Sequence, residues 1–206
     1  MALVLAGDIG GTQTRLALAE VSADRCQTLL RQTYASTAYP DLAPILADFR
    51  PRIAEVATAP LVAACLGVAG PIRHHATGQV AQITNLPWRL DSQQLGQMIG
   101  SPTQLINDFE AVGYGIGTLQ PEDCTVLQAG QPEMHGTRAV LGAGTGLGVA
   151  LLVWRESAYH VLASEGGHAD FAPFDALTQR LWHYLHPQLG RVSIEQVLSG
   201  PGLTRL

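Results

Sequence analysis

The stretch TQLINDFEAVGYGIG, residues 103–117, runs from a strand-like apolar segment into a helix-like one, with Asn107 and Asp108 at the junction. A strand that hands over directly to a helix is the repeating element of an α/β sheet. An amide and a carboxylate at that point have two readings. They can cap the helix that starts at Phe109, worth ~1 kcal/mol. They can also be a ligand-holding amide beside a catalytic base, and one residue can do both.

Working outward, DSQQLGQMIG (91–100) has the marks of a short helix. Asp91 is its N-cap, Leu95, Met98 and Ile99 form its apolar face, and Gly100 stops it. APLVAACLGVAGP (59–71) is a nearly continuous apolar run, which predicts a central strand buried on both faces. HHATG (74–78) reads as a turn and GQVAQIT (78–84) as the strand returning from it. At the N-terminus, ALVLAGD, TRLALAEV and RQTYAS predict strands separated by short turns. PDLAPILADFRPRIAEV (40–56) has helical spacing, with Leu42, Ile45, Leu46, Phe49, Ile53 and Val56 apolar, and Pro51 is expected to break or kink it. Downstream, TRAVLGAGTGLGVALLVW predicts two strands joined by a glycine turn. FDALTQRLWHYL predicts a helix with Phe174, Leu177, Leu181, Tyr184 and Leu185 inward. Ser193 and Gln196 fit a capping box for a last short helix, with Glu195 in its first turn. The polar segment 120–136 is the expected connector between lobes. Hairpins followed by alternating helices and strands give a mixed α/β sheet.

With 47% hydrophobic and 14% charged residues, the chain has a globular composition rather than a disordered one. Its net charge is −5 and its 12 basic residues are scattered, which argues against nucleic-acid binding. No apolar run approaches membrane-spanning length, and the N-terminus lacks the basic start of a signal peptide. Cys26, Cys65 and Cys124 are odd in number and far apart, so reduced thiols in the cytoplasm are expected rather than a disulfide frame or zinc knuckle.

Two glycine turns, GDIGGTQTR and GAGTGLG, suit close approach of backbone N–H groups to phosphate. Neither is a Walker A loop, and Leu147 stands where a dinucleotide fingerprint needs its third glycine. Each alone reads as a tight hairpin; the two together, one with Asp8 in front, read as a clamp for a polyphosphate. Asp8 ends an apolar strand, where a carboxylate needs a partner. A magnesium ion would supply one, and a turn-capping role is the alternative. His168 reads either as a satisfied core histidine or, with Asp170, as half of a metal site; Glu195 reads as structural.

The segments DIGGTQTRLAL, TNLPW, INDFEAVGYGI, GAGTGLGVALL, EGGHADFAP and VSIEQVLSGPGL, in this order and spacing, resemble bacterial glucokinase of the ATP-dependent type outside the repressor-related (ROK) group. Gln13 stands where that family more often has Asn. The resemblance implies an actin-like (ribonuclease H-like) sugar-kinase fold, α/β with mixed sheets and two lobes flanking a cleft. It also implies transfer of the ATP γ-phosphoryl group to the 6-hydroxyl of glucose. Asp108 would be the base. Asn107, Asp108, Glu165, His168 and Glu195 would hold the sugar. Gly10, Gly11 and Thr12 of one turn and Gly144, Thr145 and Gly146 of the other would embrace the phosphates, with Asp8 near Mg2+.

The resemblance further implies glucose and ATP as partners, no nucleic acid, no membrane, and a homodimer of the full-length protein. Family members continue past LSGPGL. Residues 1–117 are therefore expected to be the small lobe and 118–206 the first part of an incomplete large lobe, poorly active alone and exposing apolar surface. The alternatives are a sugar-binding fragment or regulator without turnover, or a kinase for another hexose.

Overall fold

The computed structural model describes residues 1–22 and 25–206. The chain divides into two units, Met1–Ala111 and Val112–Leu206. The segment 120–136 lies wholly within the second.

In the first unit, β1 (Ala2–Ile9), β2 (Gln13–Val21) and β3 (Cys26–Ala35) form an antiparallel meander. Helix α1 (Ala43–Val56) leads to β4 (Leu61–Val68), which pairs parallel with β1. A small antiparallel sheet of β5 (Ile72–His75), β6 (Gly78–Gln82) and β7 (Arg89–Asp91) follows. Helix α2 (Ser92–Ile99) then leads to β8 (Thr103–Asn107), parallel to β4. The order β3-β2-β1-β4-β8 is the expected mixed sheet. Alternation builds its core. Leu3, Leu5 and Ile9 of β1 and Leu16 and Leu18 of β2 are buried together with Ile45, Leu46 and Phe49 of α1 and Leu95 and Ile99 of α2.

Several local expectations are corrected. Pro51 does not break α1, which continues through it. The proline is on the exposed side, while Ile45, Leu46 and Phe49 anchor the opposite face. Val56, expected inward, is 46% exposed. Strand β4 is central but is not buried on both faces. Cys65 is open to solvent, and Val62 precedes the first pairing with β8 at Ala64. His74 and His75 belong to β5, not to a turn. Strand β8 lies at the sheet edge, and the Gln79 side chain occupies the place of a missing neighbour. Its Nε2 donates to the Leu105 carbonyl (2.8 Å), and its Oε1 accepts from the Leu105 N–H (2.8 Å).

In the second unit, α3 (Asp108–Gly115, begun in the first) is followed by an antiparallel sheet of β9 (Arg138–Ala143), β10 (Leu147–Arg155) and β11 (Ala158–Ser164). One face buries Ala150, Leu152 and Val161, whereas Leu141, Leu151 and Leu162 on the other are exposed. This exposed apolar surface matches the expectation. Helix α4 (Ala176–Leu189) differs from its predicted packing. Leu185 is buried and Leu181 partly so, but Phe174, Leu177 and Tyr184 face outward. Residues 193–199 form turns rather than a helix. Gln196 Oε1 does accept from the Ser193 N–H (2.8 Å), which is half of a capping box, but the cap that starts a helix is Ser199, at the head of α5 (Gly200–Leu203).

Candidate active site

The first glycine turn joins β1 to β2. Gly10 N–H donates to the Gln13 carbonyl (3.0 Å), and the buried Ser36 holds the turn from behind. Its Oγ donates to the Gly10 carbonyl (2.8 Å) and its N–H to the Thr12 carbonyl (2.9 Å). The amides of Gly11 and Thr12 are the turn's other donors. Asp8 is opposite Arg15 in the hairpin register and pairs with it at 2.9 Å, both side chains about half exposed. The carboxylate is thus not buried, as its apolar context had suggested. Mg2+ asks a protein for one or two carboxylates and takes its other ligands from water and phosphate. One half-exposed carboxylate beside a phosphate-suited turn fits that requirement.

At the end of β8, Asn107 rather than Asp108 is the principal cap of α3. Its Oδ1 accepts from the N–H groups of Phe109 (2.9 Å) and Glu110 (3.2 Å), and Glu110 Oε2 accepts in return from the Asn107 N–H (3.4 Å). Asp108 Oδ1 accepts from the Phe109 N–H at 2.8 Å. With Oδ1 committed to the helix, Nδ2 remains as the donor end of the Asn107 side chain.

The second glycine turn, Gly144, Thr145 and Gly146, joins β9 to β10 and is closed by Gly144 N–H donating to the Gly146 carbonyl (2.8 Å). Around it the structure gathers Glu165, His168 and Glu195. Strand β11 ends at Ser164, and a single turn of 3-10 helix, Gly166–His168, follows Glu165. His168 Nδ1 lies 3.0 Å from Glu165 Oε2, and its Nε2 lies 3.5 Å from Glu195 Oε1. The other Glu195 oxygen accepts from the Leu147 N–H (2.8 Å), at the base of the turn. Backbone pairing locks this arrangement, with Ile194 N–H on the Ala169 carbonyl and Glu195 N–H on the Gly167 carbonyl, each 2.9 Å. Gly167 admits no side chain, because a Cβ there would meet the Leu147 carbonyl. Glu195 is therefore in a turn, tied to the strand end that follows the second glycine turn, not in a helix.

Asp170 does not join His168 in a metal site. It pairs with Arg191 (2.6 Å), which also donates to the His168 carbonyl (2.8 Å). No group of three or more His, Cys, Asp or Glu residues suited to a metal occurs among the described residues. Arg15, Glu110 and Arg191 were not singled out from sequence. Only Glu110 left a local signal, the Asn-x-x-Glu spacing of a capping box.

A family model described as glucokinase matches residues 5–206. The chain belongs to the glucokinase family. Among curated relatives, the glucokinase of Synechocystis sp. is 45% identical, over 98% of this chain and 59% of its own length. That of Cronobacter sakazakii is 37% identical, over 98% of this chain and 60% of its own length. The chain thus spans about three-fifths of the relatives it matches. The crystal structure of a glucokinase from an Antarctic psychrotroph superposes with a TM-score of 0.85 at 32% identity, covering 98% of this chain and 62% of that one. A ROK hexokinase from Thermus thermophilus shares the fold at 19% identity (TM-score 0.63, 98% and 62% covered). The glucokinase family and its ROK neighbours have the actin-like sugar-kinase fold, and the mixed sheet of the first unit agrees with it.

Proposed function

We propose that this chain carries the sugar-recognition and phosphate-turn residues of an ATP-dependent glucokinase, which transfers the γ-phosphoryl group of ATP to the 6-hydroxyl of glucose. The observation that carries this reading is the Glu165–His168–Glu195 array fastened to a glycine turn. A neutral sugar offers hydroxyls that both donate and accept, and two carboxylates around an imidazole match them. A glucokinase from Balamuthia mandrillaris, 27% identical with a TM-score of 0.67 over 98% of this chain and 60% of that one, was crystallised with glucose. Glu165, His168 and Glu195 hold sugar hydroxyls, and Asn107 adds its Nδ2 donor. Asp108 accepts the proton of the attacking hydroxyl. Because the phosphoryl transition state is loose, acceptance late in the reaction is sufficient, and most of the catalysis is positioning and charge stabilisation. Gly10 and Gly144 shape the two turns, and the amides of Gly11, Thr12, Thr145 and Gly146 face the phosphates. Asp8 holds Mg2+ directly or through water, and the ion supplies charge neutralisation at the phosphates. The three free cysteines accord with a cytoplasmic protein. No helix among the described residues is long and apolar enough to cross a membrane.

The test is calorimetric titration of glucose into this chain, with galactose as competitor and Glu165→Ala as control. Saturable binding that is lost in the variant is expected. Binding unaffected by Glu165→Ala, or equal for galactose, would overturn the sugar assignment. In a chain of the relatives' full length, Asp108→Ala should lower kcat by roughly 10²–10⁴-fold, the usual contribution of an acid–base group, in a protein that still folds. Turnover near that of the unmodified enzyme would remove Asp108 from the role of base.

A further inference from the structure

The Glu195 carboxylate is shared between two tasks. Oε2 accepts the Leu147 N–H directly after the glycine turn, and Oε1 faces His168 Nε2 at 3.5 Å. The turn also crowds this carboxylate. A Cβ on Gly146 would strike Glu195 Oε2 and lie 3.1 Å from its Cδ, whereas a Cβ on Gly144 meets nothing within 4 Å. Glu195 is 28% exposed at its side chain, against 85% for Glu165, so it has less room to find another rotamer. We propose that Glu195 is a strut by which the conformation of the glycine turn at 144–146 sets the affinity of the sugar site. The inference rests on the glucose reading above and extends it. By thermodynamic reciprocity, a sugar that fixes Glu195 also fixes the turn for phosphate, so each ligand should strengthen the binding of the other.

This makes a turn glycine matter for a ligand it does not touch. In calorimetry with glucose and no nucleotide, Gly146→Ala displaces the carboxylate, since its Cβ would strike Oε2. It should weaken binding roughly tenfold to a hundredfold, the cost of losing a hydrogen bond to a charged group. Gly130→Ala, in the segment 120–136 and likewise with open space around it, should stay within about twofold, as for a substitution that disturbs no packing. Equal effects of the two variants, or none from Gly146→Ala, would overturn the strut. Failure of the unmodified chain to bind glucose would overturn the glucose reading, and the strut with it. A measurement on the unmodified chain covers the case in which Gly146→Ala does not fold. Glucose alone should shift the amide resonance of Leu147, and glucose that binds while leaving that resonance unmoved would overturn the proposal.

Discussion

Asn107 ends a strand whose preceding residues, Leu105 and Ile106, are buried, in a unit whose core runs from Leu3 to Leu105 and includes Phe49 and Trp88. Glu165, His168 and Glu195 sit on loops instead. The core cluster beside them is Leu185, Val192 and Val197, and the adjoining sheet leaves Leu141, Leu151 and Leu162 exposed. Packing holds the strand end that carries Asn107, and hydrogen bonds between loops hold Glu165, His168 and Glu195. Packing tolerates the loss of any one polar contact, whereas a hydrogen-bonded loop array depends on each member.

The same substitution placed in the two regions breaks this contrast or sustains it. Phe49 is fully buried in α1, and Phe49→Ala should cost about 3–5 kcal/mol, as large-to-small changes in cores do. Phe174 is 84% exposed. Phe174→Ala should change stability by less than about 0.5 kcal/mol. Chemical denaturation of both variants checks the pair. A large loss from Phe174→Ala would show that the second region is packed more firmly than its exposed side chains indicate.

A smaller effect separates the two functions of Asn107. Asn107→Ala removes the cap of α3 and should cost about 0.5–2 kcal/mol. Asn107→Asp keeps an oxygen for the N–H groups of Phe109 and Glu110 but loses the Nδ2 donor. It should leave the thermal midpoint close to that of the unmodified chain and weaken glucose binding. If glucose affinity survives Asn107→Asp, the amide is a cap and nothing more.

The two regions also differ in how far the sequence discloses them. Periodicity finds β1, β4, α2 and β8, because each is an apolar pattern ending in a cap or a glycine. Strand β11 escapes because the turn before it contains no glycine. Glu156 and Ser157 take positive φ values of 50° and 69° without the residue type that usually marks such a turn. Strand β7 escapes because it is three residues long and ends on the aspartate that caps α2. Phe174 and Tyr184 read as core from their spacing, but spacing reports a face and not whether anything covers it. In the site, the identities of Asn107, Asp108, Glu165, His168 and Glu195 stand out through motif order. Their division of labour does not, since Glu195 reaches across 48 positions to the Leu147 N–H and no local pattern encodes that bond.

The smallest expected effect is a pH dependence that distinguishes the units. In the first, burial raises the Tyr34 hydroxyl pKa above its ordinary 10.0, reinforced by its 2.8 Å hydrogen bond to Asp48. That hydrogen bond, with Arg52, holds the Asp48 carboxyl below its ordinary value. In the second, Asp175 is likewise lowered, by the backbone and hydroxyl of Thr178 that it caps. A lowered carboxylate contributes stability above its unfolded-state pKa and loses it as pH falls toward the folded value, so both units should weaken in acid. A raised tyrosine contributes fully below pH 10 and loses that contribution as pH rises beyond it. Only the first unit should therefore show an alkaline limb attributable to this pair. All 12 basic side chains are arginine, so no lysine titration overlies it. Amide exchange or near-ultraviolet dichroism followed from neutral to strongly alkaline pH should show the first unit weakening, and Tyr34→Phe should flatten that limb while leaving the acid limb of Asp175 in place. An alkaline limb unchanged by Tyr34→Phe would mean that the Tyr34–Asp48 contact couples to solvent rather than to the packing of α1 against β3, and the buried-core account of the first unit would lose its strongest polar link.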